Sequence, residues 1–163
     1  MKKSFIILSL LLSLTMGQDY YNNTFESEVG NEWSSSSTHQ TPDGTDTFLG
    51  EFGNSTITLS LDGFIPGEPV DIQYELWILR SWDGSNNDNL GDNLQDRFSF
   101  SINDNEIFNE TFSNVDYQGQ TFPNGQNNYM QTGAYEVGGQ GYPPSGSHGT
   151  RSIYLLNFIE YSF

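Results

Sequence analysis

In Val70-Asp71-Ile72-Gln73-Tyr74-Glu75-Leu76-Trp77-Ile78-Leu79, large apolar residues alternate with mostly polar ones. An extended backbone sends successive side chains to opposite faces. Val70, Ile72, Tyr74, Leu76 and Ile78 therefore share one face, and Asp71, Gln73, Glu75, Trp77 and Leu79 share the other. The first row reads as core and the second as a polar row with one indole. This is the longest run of regular alternation in the chain.

The same period recurs on both sides of it. Residues 97–102 alternate with Phe98, Phe100 and Ile102 inward. Asn103-Asp104-Asn105 then makes a tight hairpin connection, and 106–112 return. Upstream, Ile57, Leu59 and Leu61 share one face of 56–61. Shorter extended pieces are expected at 20–25, 32–34 and 47–50. Pro42-Asp43-Gly44, Gly53-Asn54, Asp62-Gly63 and Pro66-Gly67 punctuate the connections, and 34–44 reads as a polar connection. Residues 116–150 are rich in Gly, Gln, Asn, Tyr and Pro and predict an ordered loop with short pieces of strand. Residues 152–163 form a last strand carrying Ile153, Leu155 and Phe158. About eight short strands with polar loops predict an all-β, two-sheet antiparallel sandwich or jelly roll. The last strand is either a natural edge or awaits a closing strand beyond Phe163, and both readings stand.

The first 17 residues have a different character. Lys2 and Lys3 precede an apolar run over 5–14, and Thr15 and Gly17 place small residues before Gln18. This is the pattern of a secretory signal peptide, too short for a membrane span. The expected organisation is a signal peptide at 1–17 and one domain at 18–163. Removing the peptide leaves Arg80, Arg97 and Arg151 against 21 acidic residues. Such a surface repels nucleic acid and anionic membrane and attracts multivalent cations or basic partners; plain solubility explains the charge equally well. The chain has no cysteine, so an extracellular domain of this kind must be held by its core or by metal. Asn22, Asn54 and Asn109 begin N-glycosylation acceptor triplets, which count in a eukaryotic glycoprotein.

Three chemistries bear on these residues. Calcium needs six to eight oxygen ligands. The loop after Trp82 offers Asp83, Asp88, Asp92 and Asp96, among several asparagines. It lacks the twelve-residue calcium-loop pattern and its terminal Glu. It reads either as one structural calcium site or as a solvated Asn/Asp loop capping its own backbone. Glycan recognition needs an aromatic platform beside hydrogen-bonding side chains. Gln73, Glu75 and Trp77 have that character on one face, with Tyr117, Tyr129, Tyr135 and Tyr142 as further stacking candidates; the alternative is that Trp77 is core and the carboxylates pair with Arg80 or Arg97. Glycoside hydrolysis needs two carboxyls across the scissile bond, roughly 5–9 Å apart. Asp71 and Glu75 lie ~13 Å apart along a strand, so no enzyme is expected. His39 and His148 sit in separate polar loops, which argues against zinc or a catalytic triad.

Four motifs occur in order: Phe48-Leu49-Gly50-Glu51-Phe52-Gly53-Asn54, Ser81-Trp82-Asp83-Gly84, Thr111-Phe112-Ser113-Asn114 and Thr132-Gly133-Ala134-Tyr135-Glu136. In these the chain resembles a group of secreted extracellular modules. The resemblance covers most of residues 25–160. It implies a jelly roll of the concanavalin A-like or carbohydrate-binding type and brings no established activity. Members of that group continue into an acidic closing strand containing Trp-Gly, which has no counterpart here. The expected role is a non-catalytic, extracellular recognition or cell-adhesion module for a glycan or matrix component, stabilised by calcium. The rival is a structural subunit of a coat or filament that self-associates through sheet edges and Tyr/Gly-rich loops.

Overall fold

The computed structural model of the chain describes residues 21–85, 95–143 and 150–162, the side chains of 159–162 excepted. The signal peptide expected at 1–17 lies outside these residues. Among the described residues nine strands follow one another: β1 (Thr38–Gln40), β2 (Thr47–Leu49), β3 (Pro69–Leu79), β4 (Arg97–Ile102), β5 (Asn105–Thr111), β6 (Gly119–Gln120), β7 (Asn128–Tyr129), β8 (Glu136–Val137) and β9 (Arg151–Ser162). Every pairing among them is antiparallel, and the described residues contain no helix. None therefore is a helix long and apolar enough to cross a membrane. The protein is all-β.

The centre is a three-stranded sheet in the order β3-β9-β8. β3 alternates as its sequence predicts: Asp71, Gln73 and Glu75 are exposed, Ile72, Tyr74 and Leu76 are half-buried, and Ile78 is buried. Opposite it, Tyr154 and Leu156 are buried on the same inner face. Between Ile72↔Phe158 and Val70↔Tyr161, β9 carries one residue more than β3, a bulge near the end of the pairing.

The β4–β5 hairpin lies over the inner face. Its two-residue turn puts Asn103 at φ 47° and Asp104 at φ 63°, the left-handed pair that matches strand twist. From it Phe98, Phe100 and Phe108 reach Tyr74 and Phe158; Phe100 stacks on Phe158 at 5.0 Å. Phe112, Phe122 and Tyr154 continue the cluster, with Phe112 edge-on to Tyr154 at 4.7 Å. Each fully buried ring contributes roughly 1.5–3 kcal/mol, so a few aromatic positions add strongly to the buried aliphatics Ile78 and Leu156.

Two buried amides tie this layer to the loops. Asn114 Nδ2 donates to Ile78 O (2.9 Å) and Arg80 O (3.2 Å), across the end of β3. Gln120 Oε1 accepts from Ser113 N and Gln131 N, while its Nε2 donates to Phe122 O and Thr132 O. Both residues are wholly buried, and their hydrogen bonds replace a regular ladder where 113–133 wander. The described part of 116–150 has the ordered loop with short strands that its composition predicts.

Three local expectations need correcting. Residues 21–24 form no strand: Asn23 Oδ1 accepts the Phe25 N–H (2.8 Å) and Phe25 turns to φ 62°, a side-chain turn that displaces the extended backbone. Residues 32–34 and 56–61 meet only through the bridge Trp33↔Leu59 and its flanking hydrogen bonds. The polar stretch 34–44 contains β1, which pairs with β2 around a turn built on Asp43. Hydrogen bonds from Thr45 and Thr41 hold the Asp43 carboxyl below its ordinary pKa.

Candidate functional site

The second face of the β3–β9–β8 sheet has two halves. Towards Leu79 it is covered. Phe48 of β2 lies 5.1 Å from the Trp77 ring, and the Arg151 guanidinium stands 4.9 Å from the centre of that ring and 5.9 Å from Tyr142. Arg151 is entirely buried. Its Nε donates to Gly138 O (3.0 Å), Nη1 to Gln140 and Nη2 to Glu136, so the fork clamps 136–140 onto the sheet. The sequence reading did not single out Arg151. A lone Arg opening an apolar strand was the available signal, since an arginine there must find acceptors.

Towards Gln73 the same face is open. Gln73 lies opposite Asn157 and Glu75 opposite Leu155. Gln73 Nε2 donates to Asn157 Oδ1 (2.6 Å). Glu75 Oε1 accepts from the Tyr135 hydroxyl (2.6 Å), and Oε2 from Trp77 Nε1 (3.2 Å). Burial and the neighbouring Glu75 carboxylate raise the Tyr135 pKa, so the phenol keeps its proton. Tyr135 is 55 % exposed and Leu155 46 %. The result is a shallow polar face with one accessible aromatic ring and one apolar patch.

The predicted ligand residues Gln73, Glu75 and Trp77 are thus adjacent, in unequal roles. Trp77 is half-buried and engaged by Phe48 and Arg151, and the exposed ring beside Glu75 is Tyr135. Tyr117 and Tyr129 are exposed on or beside the separate β6–β7 pair, and Tyr142 is half-buried against Arg151.

Of the predicted metal ligands, Asp88 and Asp92 lie outside the described residues. Asp83 and Asp96 stand at the two ends of that loop, where the Asp83 N–H donates to Asp96 Oδ2 (2.5 Å). Among the described residues no three His, Cys, Asp or Glu gather as a metal-binding group. Asn22, Asn54 and Asn109 are all exposed; Asn109 also holds Arg97 through Oδ1 (3.0 Å).

Residues of all four motifs serve as structural parts, and the second and third motifs meet. Asp83 bridges Ser113, and Asn114 N donates to Trp82 O (2.8 Å). Gly84, at φ 68°, has Gly119 O only 2.1 Å from where a Cβ would sit, so only glycine fits. Gly133 is similarly pressed against the Phe122 ring, at 2.8 Å. Phe48 packs on Trp77, and Glu136 binds Arg151. No protein-family model, curated protein or solved structure matches this chain.

Proposed function

We propose that the chain is a secreted, non-catalytic recognition or adhesion module of jelly-roll type, and that it binds a glycan or matrix polymer on the open half of the β3–β9 face. The observation that carries this reading is Glu75, exposed between the Gln73–Asn157 amide pair and the accessible Tyr135 ring. Sugars are held by such sets: amides and a carboxylate bond hydroxyls, while a ring and a leucine cover the C–H face. On a glycan array the exported chain binds at least one polysaccharide class. Glu75→Ala and Tyr135→Ala each weaken that binding roughly tenfold, the loss of one charge-assisted bond or one ring contact. Full binding by both variants with intact melting curves would remove the face from the proposal.

Calcium at the loop bounded by Asp83 and Asp96 belongs to the same proposal. Asp83, Asp88, Asp92 and Asp96 are its ligands there. A ligand that binds only the folded chain stabilises it. Millimolar calcium therefore raises the melting temperature by several degrees (~3–5 °C), and Asp83→Ala abolishes the rise. Identical melts in calcium and in EDTA would dispose of the metal.

One observation favours the rival, a structural subunit. Among the described residues β3 pairs on one side only, and β8 covers β9 only at Ser152 and Ile153. Free edges of this length invite strand addition, although the bulge in β9 counters it. Size-exclusion chromatography separates the readings: large assemblies without glycan binding favour the subunit, a glycan-binding monomer the recognition module.

A further inference from the structure

We infer that the ligand of the open β3–β9 face is a cationic polyhydroxyl chain, an amino-sugar polymer with free ammonium groups, and not an acidic or neutral polysaccharide. This rests on the recognition reading above and adds the charge class of the ligand.

The arginines decide against an acidic ligand. Arg151 is the cation nearest the face, and it is buried with Gly138, Gln140 and Glu136 around its fork. Arg80 is held by both Glu51 oxygens, at 2.6 and 3.0 Å. Arg97 starts β4, on the hairpin that covers the other face, and is bonded to Asn109 and Gln95. Lys2 and Lys3 lie outside the described residues, in the segment expected to be removed. No described guanidinium is therefore placed to receive a sulfate or carboxylate on this face.

Glu75 decides for a cation. A carboxylate has about four lone-pair sites. Tyr135 occupies one at 2.6 Å, and Trp77 reaches a second at only 3.2 Å, which leaves an exposed anion with acceptor capacity. Beside it, Tyr135 offers a ring face that attracts an ammonium group. Gln73 Oε1 and Asn157 Nδ2 remain to accept from and donate to hydroxyls, ~7 Å along the strand from Glu75. The formal charge of −16 over the full sequence, more negative still without Lys2 and Lys3, draws a polycation to the surface from a distance.

The test is calorimetric titration of the exported chain with oligomers of β-1,4-linked glucosamine, their N-acetylated counterparts, a neutral glucan oligomer and heparin. The glucosamine oligomer binds. N-acetylation, Glu75→Gln and added salt each weaken it at least about tenfold, while Glu106→Gln on the far hairpin leaves it unchanged. Equal binding of the acetylated or neutral oligomer, or any binding of heparin, would overturn the charge assignment and leave recognition standing. Equal losses in Glu75→Gln and Glu106→Gln would also overturn it, as diffuse attraction by the whole surface. No binding of any sugar here or on an array would overturn both readings.

Discussion

Arg151→Ala lowers the stability of this protein by about 3 kcal/mol, the size of change expected when a buried, multiply bonded charge is removed. The loss comes mainly from packing and desolvation. Glu136 is 44 % exposed in its side chain and returns to water when its partner goes, so the ion pair itself contributes little. The Gly138 carbonyl has no such escape: it accepts from Nε of a fully buried group and would be left beside a void under Trp77. Arg151→Lys restores the charge without the fork and recovers only part of the loss. Urea denaturation gives the magnitude, and limited proteolysis gives the place, with cleavage in 136–142 before global unfolding. A change below roughly 0.5 kcal/mol, the level of an ordinary surface substitution, would show that this clamp does not hold the sheet.

The second large effect is alkaline. Burial pushes the Tyr154 hydroxyl up to about 12, against smaller opposing effects of Gln120 and Ser152. Burial also raises Tyr74, whose hydroxyl finds no hydrogen-bond partner among the described residues. In the unfolded chain both ionise near ~10. Between that pH and about 12 the unfolded state releases protons that the folded state retains, so stability falls as pH rises; below about pH 9 neither group contributes. Two groups, each held back about two pH units or more, remove about 5 kcal/mol by pH 12, a large part of a typical domain's stability. A step in tyrosinate absorbance should then accompany the loss of circular dichroism near pH 11–12, a range set by those buried phenols. Tyr74→Phe takes away one titrating group and an unbonded hydroxyl. It moves the alkaline midpoint upward with no loss at neutral pH. An unmoved midpoint would mean that Tyr74 does not drive the transition.

The alternation in 70–79 and 97–102 carried through to β3 and β4 because a period of two admits one arrangement when one face is buried. Asn103-Asp104 carried through because a two-residue turn needs two left-handed residues and Asn and Asp tolerate that conformation. β1 was hidden in a polar stretch because its three residues are all exposed, so no hydrophobic pattern marks it. The strand expected at 20–25 failed for a related reason: its pattern was short, and a local side-chain hydrogen bond was enough to turn it.

The candidate face was visible as the row Gln73, Glu75, Trp77, but its composition was not. Tyr135 stands 60 residues from Glu75 along the chain and meets it only because β8 docks beside β9. Trp77 reads as either platform or core until Phe48 and Arg151 are folded against it. Sequence alone determined the all-β class, the core row of the long strand and the acidic surface, since these follow from the order and charge of neighbouring residues. Tertiary structure alone decided which aromatic is accessible and which arginine is buried. Both depend on contacts between distant segments, whose pairing is selected by the packing of the whole core and carries no local periodicity.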